Sequence, residues 1–400
     1  MEKELKNIPE LRFPEFIKLG DWEKKKIESI ISQESSTMAM NKLELLKEGF
    51  PVYGADGLIG YINDFQQEEE YISMVKDGSG VGKLNLCQEH SSILGTLTAL
   101  KSKDSKRYFL KWIYYLLNTL DFSSYVKGAG IPHIYYSDIK HKCIYIPSFS
   151  EQEKIADCLS SLDDYINATQ EKIDLLQVYK KGFQQLLFAT NQSQCPTYRF
   201  SQFKKDGKWR ELKLSDTCEL IRGPFGGSLK KESFVKEGYA VYEQSHAIYG
   251  NMESFRYHIS EDKFKELKRF RVHSKDIIMS CSGTMGKFAV IPNNYKEGII
   301  NQALLKLSAK KGYDYRFIKQ LLELPEYQDE ILSGAAGGAI KNIASISQIK
   351  KIPIYIPNLE EQIFIAGFFA SIDDLLTLAE RKLSKLKEHK KGLMQQLFYK

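Results

Sequence analysis

Two stretches of the chain carry apolar residues stepped by three and four, the spacing that gathers them on one side of a helix. In the first stretch they are Leu159, Leu162, Ile166, Ile173, Leu176, Phe183 and Leu187. In the second they are Phe369, Ile372, Leu376, Leu383, Leu386, Leu393 and Leu397. This is the spacing of a coiled-coil seam. Each stretch opens on a capping residue with a carboxylate three positions later, Ser148 with Glu151 and Asn358 with Glu361, which is a helix-start signal. Ahead of each lies Ile-Tyr-Ile-Pro, a short strand closed by Pro147 or Pro357. Helices of about 38 residues would run roughly 57 Å, too long to hide in a small globule. Each therefore needs a partner helix.

Two positions break the pattern in both stretches. Lys180 and Lys390 stand where an apolar residue would stabilise the seam more; either they fix register, or they snorkel to water. Gly182 and Gly392 each cost about 1 kcal/mol of helix stability and imply a close helix approach or a local kink.

The two stretches are copies of each other. The 45 residues from Ile144 recur from Ile354 at a constant offset of 210, without a gap, and roughly 19 positions are identical, which marks an internal duplication. Upstream, Arg12, Phe13, Phe16 and Trp22 recur 187 residues later as Arg199, Phe200, Phe203 and Trp209. The chain thus reads as an α+β protein in four segments: globular region 1–149, long helix 150–190, globular region with linker 191–357, and long helix 358–400. Antiparallel pairing of the helices gives a pseudo-two-fold molecule. Parallel pairing would need a longer return connection than residues 191–197 and the second globular region provide.

Both globular regions alternate short β-like runs with glycine-rich turns, and both end in a mainly helical segment and a glycine-rich loop before the Ile-Tyr-Ile-Pro strand. Each contains a similar loop, Lys76–Lys83 (KDGSGVGK) and Cys281–Lys287 (CSGTMGK). A nucleotide-binding P-loop needs four residues between its glycines and a Ser or Thr after the lysine; Leu84 and Phe288 occupy that place. Either loop is a plain hairpin turn or a turn presenting amides and a lysine to phosphate. Lys76, Ser79, Lys83, Ser282, Thr284 and Lys287 are the candidates for that contact. The densest basic cluster places Lys268, Arg269 and Arg271 among Phe264 and Phe270, a pattern suited to a polyanion or to a solvated helix face with two core anchors. Gln244, Ser245 and His246 are polar loop residues of the kind that read base edges.

Composition changes this picture little. With 57 basic and 51 acidic residues the formal charge is +6, a mild excess that supports a nucleic-acid partner only weakly. Six scattered cysteines never form C-x-x-C, so reduced thiols in a cytoplasm are the simpler reading than zinc or disulfides. The charged opening MEKELKNIPELRF carries no export pattern, and the longest apolar run, Ile363–Ile372, is too short to cross a bilayer. The seven histidines make no H-x-x-x-H pair, so no metal site is expected. The carboxylate pairs Asp163–Asp164 and Asp373–Asp374 lie early on the long helices, where they are solvated or meet a partner.

The repeated Ile-Tyr-Ile-Pro strand, the pairs Glu151–Gln152 and Glu361–Gln362, Ile155 and Ile365, the paired aspartates and the Lys-Lys-Gly run resemble type I restriction-modification specificity subunits. The opening LRFPEF and the loop GTMGK look like family features too. The resemblance implies two target-recognition domains, each reading half of a bipartite site in double-stranded DNA, held apart by two helices that bind two modification (methyltransferase) subunits. Two restriction subunits complete the larger assembly. It implies a non-catalytic, cytoplasmic, membrane-free chain without a cofactor of its own, S-adenosylmethionine, ATP and magnesium being held by partners. The sequence shows no Asn-Pro-Pro-Tyr or Asp-Pro-Pro-Tyr segment and no helicase P-loop. Two other function classes remain: a coiled-coil adaptor that binds protein, and an independent DNA-modifying enzyme. Sequence-dependent, salt-sensitive DNA binding separates the first, and methylation by the isolated chain would identify the second.

Overall fold

The structure, a computed structural model, describes residues 7–189, 194–225, 227–332 and 343–399. The glycine-rich loop before the second Ile-Tyr-Ile-Pro strand falls on 333–342, outside the described residues, as does part of the linker at 190–193. The long helices are continuous, Phe149–Leu187 and Leu359–Leu397. The chain divides into two compact units, Met1–Glu171 with Glu380–Lys400, and Lys172–Ala379. These units cut across four consecutive segments, because each long helix gives one half to each unit.

The first unit contains β1 (Glu23–Lys26), β2 (Ile31–Ser35), β3 (Phe50–Gly54), β4 (Gly57–Ile62), β5 (Tyr71–Val75), β6 (Leu84–Cys87), β7 (Ser92–Ile93), β8 (Leu97–Ser102) and β9 (Cys143–Ile146). An antiparallel sheet runs β2-β8-β5-β6, and a second runs β4-β3-β7 with β3 and β7 parallel. The second unit contains β10 (Arg210–Lys213), β11 (Cys218–Arg222), β12 (Phe234–Val235), β13 (Tyr239–Tyr242), β14 (His258–Ile259), β15 (Ile277–Ser280), β16 (Phe288–Val290), β17 (Gly298–Ile300), β18 (Leu304–Ala309) and β19 (Pro353–Ile356). Its sheets run β11-β18-β15-β16 and β12-β14-β13-β17, with β13 and β17 parallel. Apart from β12, which has no counterpart in the first unit, the strand plan is the same in both units. Two connections between strands lengthen most: residues 55–56 between β3 and β4 become 243–257 between β13 and β14, and 63–70 become 260–276.

Each Ile-Tyr-Ile-Pro strand pairs antiparallel with the first strand of its own region, Glu23 opposite Ile146 and Arg210 opposite Ile356. The Glu-Gln pair that follows ties the helix start to the globular region. Ser148 and Asn358 cap as expected, Asn358 Oδ1 accepting from the Glu361 amide at 2.9 Å. The carboxylates do not turn back to complete a capping box. Glu151 instead takes Arg12 through both oxygens at 2.8 Å, and Glu361 takes Arg199 at 2.8 and 2.6 Å. Both glutamates are buried, and a bidentate guanidinium is the partner that makes burial of a carboxylate tolerable. The neighbouring glutamines accept from the Phe109 and Asp314 amides and donate to the Pro147 and Pro357 carbonyls.

Within each unit the helix segments run antiparallel. In the first unit Lys390 lies on Asp163, while Leu397 and Phe398 share a core with Ile155 and Leu159. In the second, Lys180 lies on Asp373 at 2.7 Å and Phe183 packs on Phe368. The seam lysines are thus register pairs, and they do not simply snorkel. Asp163 also accepts from the Tyr115 hydroxyl at 2.7 Å, and Asp373 from Gln320 at 3.1 Å. Burial, with this bond to Asp163, pushes the Tyr115 phenol above its ordinary range. The helix ends also close the cores. Phe398 packs against Trp112, which meets Trp22; Phe188 packs against Trp209 and Phe317.

Three expectations about the helices change. A Cβ at Gly182 or Gly392 would meet nothing within 4 Å, so no close approach among the described residues explains them, and both helices run unbroken through these positions. Phe183 is 37% exposed and meets the other helix only at the seam's edge, on Phe368, whereas Thr169 and Ala379 are buried at seam spacing. The second long helix is long and apolar enough, on composition alone, to cross a bilayer. In the structure its apolar start is used otherwise: Ile365, Ala366 and Phe369 are buried in the core of the second unit.

Candidate nucleic-acid interface

The two glycine loops occupy the same place in the two units, joining β5 to β6 and β15 to β16. Both are hairpin tips. Gly78, Gly82, Gly283 and Gly286 hold positive φ of +102°, +83°, +57° and +73°, which a side chain would strain. The turns consume amides that were candidates for phosphate: Gly82 and Lys83 donate to Val75 and Gly80, and Gly286 donates to Ser280. The Lys287 amide donates to the Ser280 hydroxyl, which itself donates to the Thr284 carbonyl at 2.7 Å. What faces water is side chains. Ser79, Lys83, Ser282, Thr284 and Lys287 are exposed and Lys76 is half-buried, with Lys83 3.1 Å from Asp56.

Beside the second loop lies the short helix Gln244–Tyr249, packed on β15 and β16. The Gln244 amide is 3.6 Å from where a Cβ on Gly283 would stand, so Gln244 and Ser282–Thr284 form one surface. Ser245 is exposed on the same helix. His246 is not available to a base. It is buried, its Nδ1 accepts from the Glu243 amide at 2.9 Å, and its Nε2 donates to the Ser254 carbonyl at 3.0 Å. With both ring nitrogens engaged it holds the loop rather than reading from it.

The basic cluster belongs to the other sheet. Phe264 is buried with Val241, Ile259 and Ile299, and Phe270 is half-buried against them. Arg271 lies over the Phe264 ring at 4.1 Å, and Tyr239 stacks on the same Phe264 ring at 3.8 Å. Arg271 is thus held by packing, whereas Lys268 and Arg269 are exposed. Lys265 pairs with Glu261, which holds that carboxyl below its usual range. Gln244–Ser245 and the basic cluster lie in the two connections that lengthen most in the second unit.

Cys281 borders the second loop, but burial pushes its thiol up to about 11. A thiol of that kind is no nucleophile at neutral pH. Exposed aromatic residues that sequence pattern did not single out are Tyr249, 79% exposed at the end of the short helix, and Phe225, 67% exposed. Their signal was present, an aromatic in a glycine-rich or polar turn, but such a residue reads equally as a core anchor.

The model of the type I restriction modification DNA specificity domain matches residues 20–178 and again 206–388. The chain belongs to the type I restriction-modification specificity family. Among its relatives is the Type I restriction enzyme MjaVIII specificity subunit of Methanocaldococcus jannaschii, 24% identical over 98% of this chain and 94% of that one. A specificity subunit of Mycoplasma pneumoniae, S.MpnORF507P, is 24% identical over 82% and 81%. The fold is that of the S subunit from M. genitalium, with a TM-score of 0.68 at 19% identity over 98% and 99% of the two chains. A chain from a type I restriction-modification system, solved for its complex assembly and conformational transition, aligns with a TM-score of 0.55 at 13% identity over 94% and 97%. The two family-domain matches fall one on each copy of the strand plan. In the specificity family's terms, this chain carries two DNA specificity domains built on one repeated pattern.

Proposed function

We propose that this chain reads a two-part sequence in double-stranded DNA, one half-site per unit, and positions modification and restriction subunits without catalysing either reaction. One observation carries the reading: the units share every strand but β12, the helix joints and the hairpin position, yet differ in the connections that hold Gln244, Ser245, Lys268 and Arg269. A common support with divergent exposed segments suits two readers of different half-sites. Ser79 and Lys83 in the first unit, and Gln244, Ser245, Ser282, Thr284 and Lys287 in the second, are the side chains we assign to DNA. Lys268, Arg269 and, less directly, Arg271 supply positive charge. S-adenosylmethionine, ATP and magnesium belong to the partners, two modification and two restriction subunits, acting in the cytoplasm.

The test is to map methylated adenines in DNA treated with the chain and its modification subunit. A bipartite motif with a fixed spacer is the expected result. Methylation at a single continuous motif, or without sequence preference, would overturn the reading.

A further inference from the structure

Each unit holds a cleft where the lysine-rich end of a long helix passes the globular region. In the second unit it measures about 510 Å³ and is lined by Gln177, Lys180, Lys181 and Gln184 of the helix, with Gly286 and Lys287 of the glycine hairpin. In the first it measures about 330 Å³ and is lined by Lys387, Lys390, Lys391 and Met394, with Asn118 and Thr119. The helix residues correspond one for one at the offset of 210. Duplication has therefore kept a cleft as well as a helix.

The available charge in both clefts is positive. Lys180 and Lys390 are taken by Asp373 and Asp163. Glu323, on the lining of the larger cleft, is held by Lys319 at 2.7 Å. Lys181, Lys287, Lys387 and Lys391 are exposed and make no ion pair among the described residues.

We propose that each cleft seats a phosphodiester of the DNA backbone, so that each half-site has its own sequence-independent anchor. This rests on the DNA-reading function proposed above. Phosphate contacts position a protein without reading sequence, so an anchor common to both half-sites belongs on residues the two units share, whereas base contacts belong on segments in which they differ. Lys181 and Lys391 are such a shared pair. Lys287 places the larger cleft beside the exposed Ser282 and Thr284 of the same hairpin. A carboxylate on a partner protein is the competing occupant.

The experiment uses the full chain co-purified with its modification subunit, comparing wild type with Lys181→Ala/Lys391→Ala and Lys181→Arg/Lys391→Arg. These side chains are exposed and alanine favours helix, so the fold is retained. Affinity is measured against salt for a duplex carrying the preferred site and a scrambled one. Losing two phosphate contacts lowers the slope of log K on log salt by about 1.8 and weakens binding roughly 60-fold at 0.1 M salt. The loss is equal on both duplexes, and the arginine variant stays near wild type. An unchanged slope in an alanine variant that still discriminates the duplexes overturns the anchor and leaves the DNA reading intact. Loss of the modification subunit with an unchanged slope also overturns it, giving the clefts to a protein carboxylate. Failure of the wild type to discriminate overturns both.

Discussion

Lys390 and Asp163 offer a direct measure of how the helix register is held. Their side chains are 21% and 29% exposed, between the surface pairs worth at most about 1 kcal/mol and buried pairs whose rupture costs about 3–5 kcal/mol. Lys390→Met leaves Asp163 half-buried with only Tyr115 donating to it. Asp163→Asn keeps that acceptor but leaves the ammonium only the Tyr115 ring, 5.3 Å away. Each single change should cost about 1–2 kcal/mol, and the double change less than their sum by about 1 kcal/mol, because it strands neither charge. For units of this size 1 kcal/mol is roughly 2–4 °C in Tm. The double variant should therefore melt about 2–4 °C above the additive value, read by calorimetry or far-ultraviolet circular dichroism. Lys180→Met with Asp373→Asn should show a smaller coupling, since Asp373 is 38% exposed. Strict additivity in both cycles would refute the pairs as register locks.

Four further outcomes follow from the structure. Arg12→Ala should cost about 3 kcal/mol or more by stranding buried Glu151, measured by urea unfolding; a loss under 1 kcal/mol would contradict the buried pair. Gly182→Ala and Gly392→Ala should each stabilise the isolated chain by about 0.5–1 kcal/mol, since the new methyl meets open space; a lowered Tm would show a contact the chain does not display. Lys268→Ala/Arg269→Ala should weaken binding to all DNA alike and lower the salt slope with the motif unchanged, whereas Arg271→Ala should also lower Tm because it removes the stack on Phe264. Tyr115 has a folded pKa raised above its unfolded value by burial and by Asp163, so its contribution is full below about pH 10 and is lost as pH rises beyond. Tyr115→Phe should flatten that alkaline loss, and an unchanged alkaline slope would exclude Tyr115 as its source.

The helices were legible because their signal is local: a 3.6-residue period, a capping residue, and a gapless repeat need nothing from the rest of the chain. The misses come where a residue's partner is far away in sequence. Glu151 reads as the second half of a capping box, yet its partner Arg12 lies 139 residues upstream. The Lys-Lys-Gly and Asp-Asp signatures are visible in each copy, but each lysine closes on the aspartate of the other copy. Thr169 and Ala379 were missed because neither counts as strongly apolar, although the seam buries both. His246 looked like a reader because it is a polar residue read as lying in a loop, and only three dimensions show both its nitrogens occupied.

These cases share a physical basis that also explains why the residues proposed to face DNA resist sequence reading. A buried charge must be matched inside the chain, so Arg12 with Glu151 and Arg199 with Glu361 reveal their roles by being satisfied. Lys268, Arg269 and Ser282 sit in water, where solvent satisfies them equally well and no internal partner constrains their identity. The duplication supplies the missing constraint. Where two units keep the same residue on an exposed face, as at Lys181 and Lys391, the proposed anchor places the requirement outside the chain, common to both halves of the proposed target. Where they keep only the strand plan and change the connection, as between β13 and β14, the requirement differs between the halves. By that criterion the backbone contacts common to both half-sites should map onto the long helices, and base contacts onto residues 243–257 and the hairpin tips.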